Sequence, residues 1–259
     1  MVSQLAWTLR DGYVVSVRNM RHFLRQPQLL LFSTIQPIMF VLLFSYVFGG
    51  AIGGSLPEGV SYKDFLLPGI FVQSTAFRAT QTAIGLSEDM KRGVIDRFRS
   101  MPMARSAVLA GRTLADLVRT LFVIVLMTAV GYAIGFRFGE GPFEAIASIL
   151  IVAAFGFALS WIFVYVGLIA KGPEAAQSAG FVAIFPLVFA SSIFVPVDTM
   201  PSWLQSIADV SPVTATADAA RALAIGGDVW TPLWQVLAWV GGILIVFVPL
   251  CVRKYRRLQ

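Results

Sequence analysis

Long apolar runs alternate with short polar segments along nearly the whole chain. Five of these runs extend for 17 to 32 residues without a charged side chain. A sixth is interrupted only by Arg78, which we interpret as a buried or snorkelling arginine within one span. Because a transmembrane helix needs about 20 mostly apolar residues, the pattern predicts six spans. They cover approximately residues 29–50, 64–86, 113–136, 145–170, 175–197 and 230–252.

The composition supports a membrane protein. Of the 259 residues, 57% are hydrophobic and 13% are charged, whereas a soluble domain has about 25% charged residues. This excludes an ordinary soluble enzyme. A net charge of +6 would suggest a nucleic-acid partner for a soluble protein, but the position of the charges matters more here, and we expect no nucleic acid.

Lysine and arginine collect on one side of the predicted spans. Fifteen of them fall at the two termini or in the segments after spans 2 and 4, whereas the opposite side has only Lys63, Arg137 and Arg221. Since positive residues remain in the cytoplasm, both termini are predicted to be cytoplasmic. We expect a multi-pass protein of the plasma or inner membrane.

The first 26 residues are expected to form a helix in the cytoplasmic membrane interface. Apolar residues recur there at intervals of three or four, flanked by Arg10, Arg18, Arg21 and Arg25. These polar and amphipathic residues do not have the pattern of a signal peptide. The alternative is a solvated amphipathic helix of a small N-terminal domain.

Residues 87–101 are predicted to form a short cytoplasmic helix. Ser87 would cap its N-terminus, and the carboxylates of Glu88 and Asp89 would be stabilised by the positive end of the helix dipole. An apolar face follows, and Pro102 limits the helix. This composition suits docking into a groove on another protein. The alternative is a solvated connector laced with charges.

The segment between spans 5 and 6 is too apolar for a plain loop. Two short helical patterns occur in residues 198–228, around Trp203 and around Arg221, with breaks at Pro201 and Pro212. We expect either re-entrant helices or an ordered extracellular cap.

The sequence lacks the residues of common catalytic sites. There is no Gly-x-x-x-x-Gly-Lys-Ser/Thr run for ATP, and a single Cys and a single His exclude multi-Cys and His-rich metal sites. We therefore predict no catalytic residues, no metal and no cofactor on this chain. Acids are found only near span ends, which disfavours a carrier driven by protons or sodium.

Several polar residues fall within or beside the predicted spans and are candidates for a pathway. The alternative for them is interhelical hydrogen bonding, and Asp116 and Arg119 are spaced to pair on one helix face. The candidates are Gln36, Gln73, Thr75, Arg78, Gln81, Asp116 and Arg119.

The run from Ser87 to Asp116 resembles the signature of the daunorubicin-resistance, DrrB-like, branch of the ABC-2 type permeases. That pattern has an acid, a glycine, an apolar pair, a second acid, and a Leu or Phe before a proline. The matching residues here are Glu88, Gly93, Val94, Ile95, Asp96, Phe98 and Pro102. The resemblance extends over essentially the whole chain.

The resemblance implies an all-α permease that assembles with a second permease copy or paralogue and with two cytoplasmic ATPase subunits, which hold ATP and Mg²⁺. It also implies that residues 87–101 form a coupling helix seated in the ATPase. The contact residues carried over from the resemblance are Glu88, Asp89, Arg92, Gly93, Val94, Asp96, Arg97, Phe98, Met101 and Pro102.

The expected function is ATP-driven export of an amphiphilic drug, antibiotic or lipid-like compound. Export of a lipid-linked glycan or cell-envelope lipid is the alternative within this class. A carrier that works without ATP and a membrane scaffold are alternatives from other classes.

Overall fold

The computed structural model describes residues 27–52, 56, 60–94 and 105–257, and every structural statement below concerns these residues. They form helices and connecting segments without a strand, as the sequence predicts. The helices are α1 (Pro27–Leu43), α2 (Gly49–Ile52), α3 (Tyr62–Lys91), α4 (Arg105–Ile134), α5 (Pro142–Ile169), α6 (Pro173–Phe189), α7 (Ser202–Asp209), α8 (Pro212–Ile225) and α9 (Trp230–Arg257). A π-helical turn, Phe44–Phe48, joins α1 to α2, and a 3₁₀ turn, Val197–Thr199, precedes α7.

Local sequence signals set several helix starts. The Ser61 hydroxyl accepts a hydrogen bond from the Lys63 amide at the start of α3, and Ser211 accepts from Val213 at the start of α8. Proline occupies the first turn of α5, α6 and α8, where its missing N–H costs nothing.

Three helices in the described chain are long and apolar enough to cross a membrane. They are Leu109–Ile134, Pro142–Ile169 and Trp230–Arg257, and two shorter apolar helices are Ile35–Phe48 and Pro173–Phe189. Helix α3 has 30 residues, which corresponds to a length of about 45 Å, but it contains Arg78 and has charged residues at both ends. The six-span topology stays a prediction.

Helix α3 lies at the centre of the bundle. It packs against α4, α5, α6 and α8, and Leu66, Ile70, Phe71 and Val72 are fully buried. By contrast, α9 exposes many large apolar side chains, as expected of a helix at the edge of a bundle that faces lipid.

Two helix boundaries differ from the sequence interpretation. Helix α3 passes through the buried Ser87 and ends at Lys91, so Ser87 does not cap a separate helix. The chain turns instead at Gly93, whose φ of 67° suits glycine at a helix C-terminus. The predicted N-terminal helix, residues 1–26, lies outside the described residues.

The second difference concerns span 5, predicted to reach residue 197. Helix α6 ends at Phe189, and residues 190–196 have irregular backbone. Within this segment the carbonyl oxygens of Ser192 and Ile193 accept hydrogen bonds from Arg221 on α8. The predicted short helices that follow are observed as α7 and α8.

Gly69 allows α3 to approach this irregular segment closely. A Cβ atom at Gly69 would lie 2.6 Å from the Ile193 carbonyl oxygen and 3.0 Å from an Arg221 nitrogen. We expect Gly69→Ala to destabilise the protein by about 1–3 kcal/mol, since a backbone oxygen cannot move aside as a side chain can. The measurement is the thermal unfolding midpoint of the purified protein in detergent. Gly242→Ala is the control, because a Cβ atom there meets no atom within 4 Å; equal midpoints for the two variants would contradict this packing.

Candidate functional site

The C-terminal end of α3 carries the described part of the predicted ATPase-facing segment. Glu88 and Arg92 form a largely exposed ion pair with an N–O distance of 3.6 Å. The Asp89 carboxylate instead accepts a hydrogen bond from Arg112 of α4, with an N–O distance of 2.6 Å. Gly93 and Val94 follow the helix end. This end of the bundle therefore presents charges of both signs.

The other predicted contacts of this segment, Asp96, Arg97, Phe98, Met101 and Pro102, lie outside the described residues. Their assignment stays a prediction. The described helices bracket them, since α3 ends shortly before residue 95 and α4 begins at Arg105.

The predicted intramembrane polar residues do not form one group. Gln73 and Thr75 are buried, whereas Gln36 and Gln81 are exposed on the described chain. Thr75 and Arg78 of α3 line a small cavity together with Asp116 of α4. The cavity has a volume of about 10 Å³, close to the minimum that one water needs. It is too small for a drug-sized substrate.

Asp116 connects the polar residues of α3 and α4. Its carboxylate accepts a hydrogen bond from Thr82 at 2.8 Å and forms an ion pair with Arg119 at 3.2 Å. The pairing of Asp116 with Arg119, expected from their spacing, is confirmed. We interpret this group as part of the contact between the two helices.

Arg221 forms a buried polar cluster near the other end of the bundle. Its guanidinium donates to the carbonyl oxygens of Phe65, Ser192 and Ile193 and to the Asp218 carboxylate. The distances to Phe65 and Asp218 are both 2.7 Å. The ring of Phe65 also lies under the guanidinium carbon, 3.7 Å from ring centroid to carbon. The cluster therefore joins α3, α8 and the segment after α6.

The charge of Arg221 survives this burial. Desolvation lowers the pKa of the guanidinium to about 10, while the Asp218 carboxylate acts in the opposite direction. The side chain is therefore protonated at neutral pH. The charge distribution along the sequence places Arg221 only on the outer side of the membrane. Its position within an apolar helical pattern was the available signal that its side chain is buried and hydrogen-bonded.

A larger cavity of about 490 Å³ lies beside this cluster. Its lining includes Arg221 and Asp218 on α8 and Phe65 on α3. It also includes Asp198 in the 3₁₀ turn before α7 and Asp209 at the end of α7. The Asp218 carboxylate and the Arg221 guanidinium are paired with each other there.

A series of phenylalanine rings extends along α6 and onto the π-helical turn that follows α1, and the sequence pattern did not predict it. We define the phenylalanine series as Phe181, Phe185, Phe189, Phe194 and Phe44. Successive ring centroids lie 5.3, 4.4, 5.3 and 4.6 Å apart. The planes of neighbouring rings are tilted by only 23° to 30°. The rings are therefore stacked in one continuous row.

The series is accessible on the described chain. Phe181, Phe185 and Phe189 recur every four residues on α6 and are each 40% exposed or more. Phe194 is buried and connects them to Phe44. The spacing of the three α6 residues was the available sequence signal, whereas the connection through Phe194 requires the tertiary structure.

Comparison with known proteins identifies relatives over most of the chain. The family model for the ABC-2 type transporter matches residues 12–225. The daunorubicin resistance ABC transporter permease protein DrrB1 of Streptomyces coeruleorubidus is 36% identical, over 92% of this chain and 83% of that protein. A probable doxorubicin resistance ABC transporter permease protein, DrrC of Mycobacterium tuberculosis, is 27% identical, over 87% of this chain and 80% of that protein.

A more distant relative also matches most of this chain. The putative transport permease ycf38 of Pyropia yezoensis is 24% identical, over 77% of this chain and 68% of that protein. The helical architecture and the long apolar helices are consistent with the membrane permeases that these matches identify. This chain belongs to the ABC-2 type transporter family of membrane permeases.

Proposed function

We propose that this chain is the membrane subunit of an ATP-driven exporter that moves an amphiphilic drug or antibiotic out of the cytoplasm or the inner leaflet. It would span the plasma membrane six times with both termini in the cytoplasm. Two cytoplasmic ATPase subunits would bind ATP and Mg²⁺, and a second permease copy or paralogue would complete the transporter. The absence of a P-loop from the 259 residues supports this division of labour.

Energy would enter through the segment that follows α3. An ATPase whose affinity for the permease differs between two conformations shifts their populations by that difference. Residues 92–104 connect α3 to α4, so a force on this segment reaches the helix at the centre of the bundle. Helix α3 would carry it toward the Arg221 cluster through its contacts with α5, α6 and α8.

The phenylalanine series is the observation that favours an aromatic amphiphile. Stacked rings offer faces against which a planar compound can lie, at about 0.5–1.5 kcal/mol for each aromatic pair. The partly exposed rings of α6 and the ring of Phe44 in the π-helical turn would guide such a compound along the membrane. Lipid contact alone would be satisfied equally well by leucine, which provides the basis for a test.

One prediction concerns Phe98 in the predicted coupling helix, residues 87–101. We expect Phe98→Asp to weaken assembly with the ATPase by a few kcal/mol, because it would put a charge into an apolar groove. The measurement is the yield of ATPase that co-purifies with the tagged chain in mild detergent. Phe143→Asp is the matched control, since this exposed side chain lies at the start of α5, on the side predicted to face away from the cytoplasm. Undiminished co-purification with Phe98→Asp would contradict the docking assignment.

The second prediction concerns the phenylalanine series. We expect Phe185→Leu to raise the concentration of daunorubicin that half-maximally stimulates ATPase activity by about threefold to tenfold. The reason is that the bound compound would lose its stacking contact with one phenylalanine ring. The assay uses the assembled transporter in proteoliposomes. Phe122→Leu is the control, as Phe122 is exposed on α4 and outside the series. If both variants respond as the unaltered protein does, the series does not bind the substrate.

A further inference from the structure

The described parts of α3 and α4 are joined by polar contacts close to the segment that connects them. The ion pair between Asp89 and Arg112 has an N–O distance of 2.6 Å. Arg112 exposes 17% of its side-chain surface and Asp89 exposes 34%. Charge-assisted hydrogen bonds of this length are stronger than ordinary ones, and partial burial reduces their screening by salt.

A second contact lies farther along the same two helices. Thr82, seven residues before Asp89, donates to Asp116, four residues after Arg112, at 2.8 Å. Residues spaced by seven on α3 and by four on α4 share a helix face. The two helices are therefore joined at successive levels along one shared interface.

Gly85 provides the space that the Arg112 side chain occupies. A Cβ atom at Gly85 would lie only 2.0 Å from an Arg112 guanidinium nitrogen. Gly85 is four residues before Asp89 and therefore on the same face of α3. One guanidinium nitrogen of Arg112 thus lies against Gly85 while the other bonds to Asp89, and a larger residue at position 85 would displace this guanidinium.

The neighbouring ion pair, Glu88 with Arg92, differs from the Asp89–Arg112 pair in location, distance and exposure. Glu88 and Arg92 lie on the same helix, are 3.6 Å apart and are largely exposed. Such a local surface pair contributes little, and it leaves Glu88 accessible to a partner. Adjacent acids on α3 therefore have different surroundings, although the family resemblance implies that both contact the ATPase.

We propose that Asp89 and Arg112 are positioning residues that clamp α3 to α4, so that the two helices move as one lever when the ATPase acts on the segment between them. This rests on the function proposed above and deepens it. Asp89 then acts within the chain through Arg112, and Glu88 remains a candidate for contact with the ATPase. Loss of the clamp would let the segment move without carrying both helices.

The test uses the complete transporter in proteoliposomes and measures the ratio of daunorubicin-stimulated to basal ATPase activity. We expect Asp89→Asn and Arg112→Gln each to lower this ratio by about fivefold or more, the usual lower range of coupling between sites. The double variant should be no worse than either single variant, because both remove the same contact. Exchanging the charges, Asp89→Arg with Arg112→Asp, should restore much of the ratio. A general loss of folded protein would lower both activities together and leave their ratio unchanged.

Gly85→Ala tests the clamp without removing a charge. It should lower the ratio in the same direction, whereas Gly242→Ala, at an open position on α9, should not. Glu174→Gln is the matched control for charge, since Glu174 is an exposed acid in the first turn of α6. This pair of controls separates the clamp from general effects of an added methyl group or a lost carboxylate.

The outcomes distinguish the clamp from the function on which it rests. If no ATPase co-purifies with the unaltered chain, the proposed function fails and the lever fails with it. If the ATPase is present and stimulated, but the Asp89 and Arg112 variants show the unaltered ratio, only the clamp is overturned. Loss of co-purification with Asp89→Asn but not with Arg112→Gln would also overturn it, because Asp89 would then contact the ATPase directly.

Discussion

The buried guanidinium of Arg221 determines how one end of this bundle is arranged. A charge removed from water is tolerated only when acceptors surround it, and here three backbone carbonyls and a carboxylate do so. Two of the carbonyls, from Ser192 and Ile193, belong to the irregular segment after Phe189. The third is that of Phe65, near the start of the central helix. Gly69 completes the arrangement by leaving no side chain at the closest approach.

The opposite end of α3 is held in a different way. Asp89 and Thr82 contact Arg112 and Asp116, so polar bonds there join two helices that are consecutive in the chain. The Arg221 cluster instead unites segments more than 100 residues apart. A transporter needs elements with two discrete arrangements, and a central helix tied to different neighbours at its two ends can carry a displacement from one end to the other. Between its two ends, α3 buries apolar side chains such as Phe71 and Ala76 together with the polar side chains of Gln73 and Thr75.

The phenylalanine series runs lengthwise along the bundle, as the central helix α3 does. It follows α6, passes through Phe194 and reaches Phe44 in the π-helical turn after α1. Phe194 belongs to the same irregular segment whose carbonyls bind Arg221. The backbone segment that hydrogen-bonds to Arg221 therefore also positions the Phe194 ring, which makes the series continuous. A displacement of this segment would alter both the Arg221 cluster and the phenylalanine series.

The sequence by itself determined that the chain is helical, rich in membrane-spanning patterns and a member of the ABC-2 family, because hydrophobic periodicity and the run from Ser87 to Asp116 are local properties of the chain. It also predicted the Asp116–Arg119 pair, since three-residue spacing on a helix brings side chains together. It failed at Ser87, where continuing helix made a cap unnecessary, and at residues 190–196, where a hydrophobic sequence has an irregular backbone. Only the tertiary structure decided that Asp89 bonds to Arg112, that Arg221 binds carbonyls from two distant segments, and that Phe194 bridges two helices. Those contacts depend on which helices become neighbours, and the packing of apolar faces that chooses neighbours leaves no pattern in any single stretch of sequence.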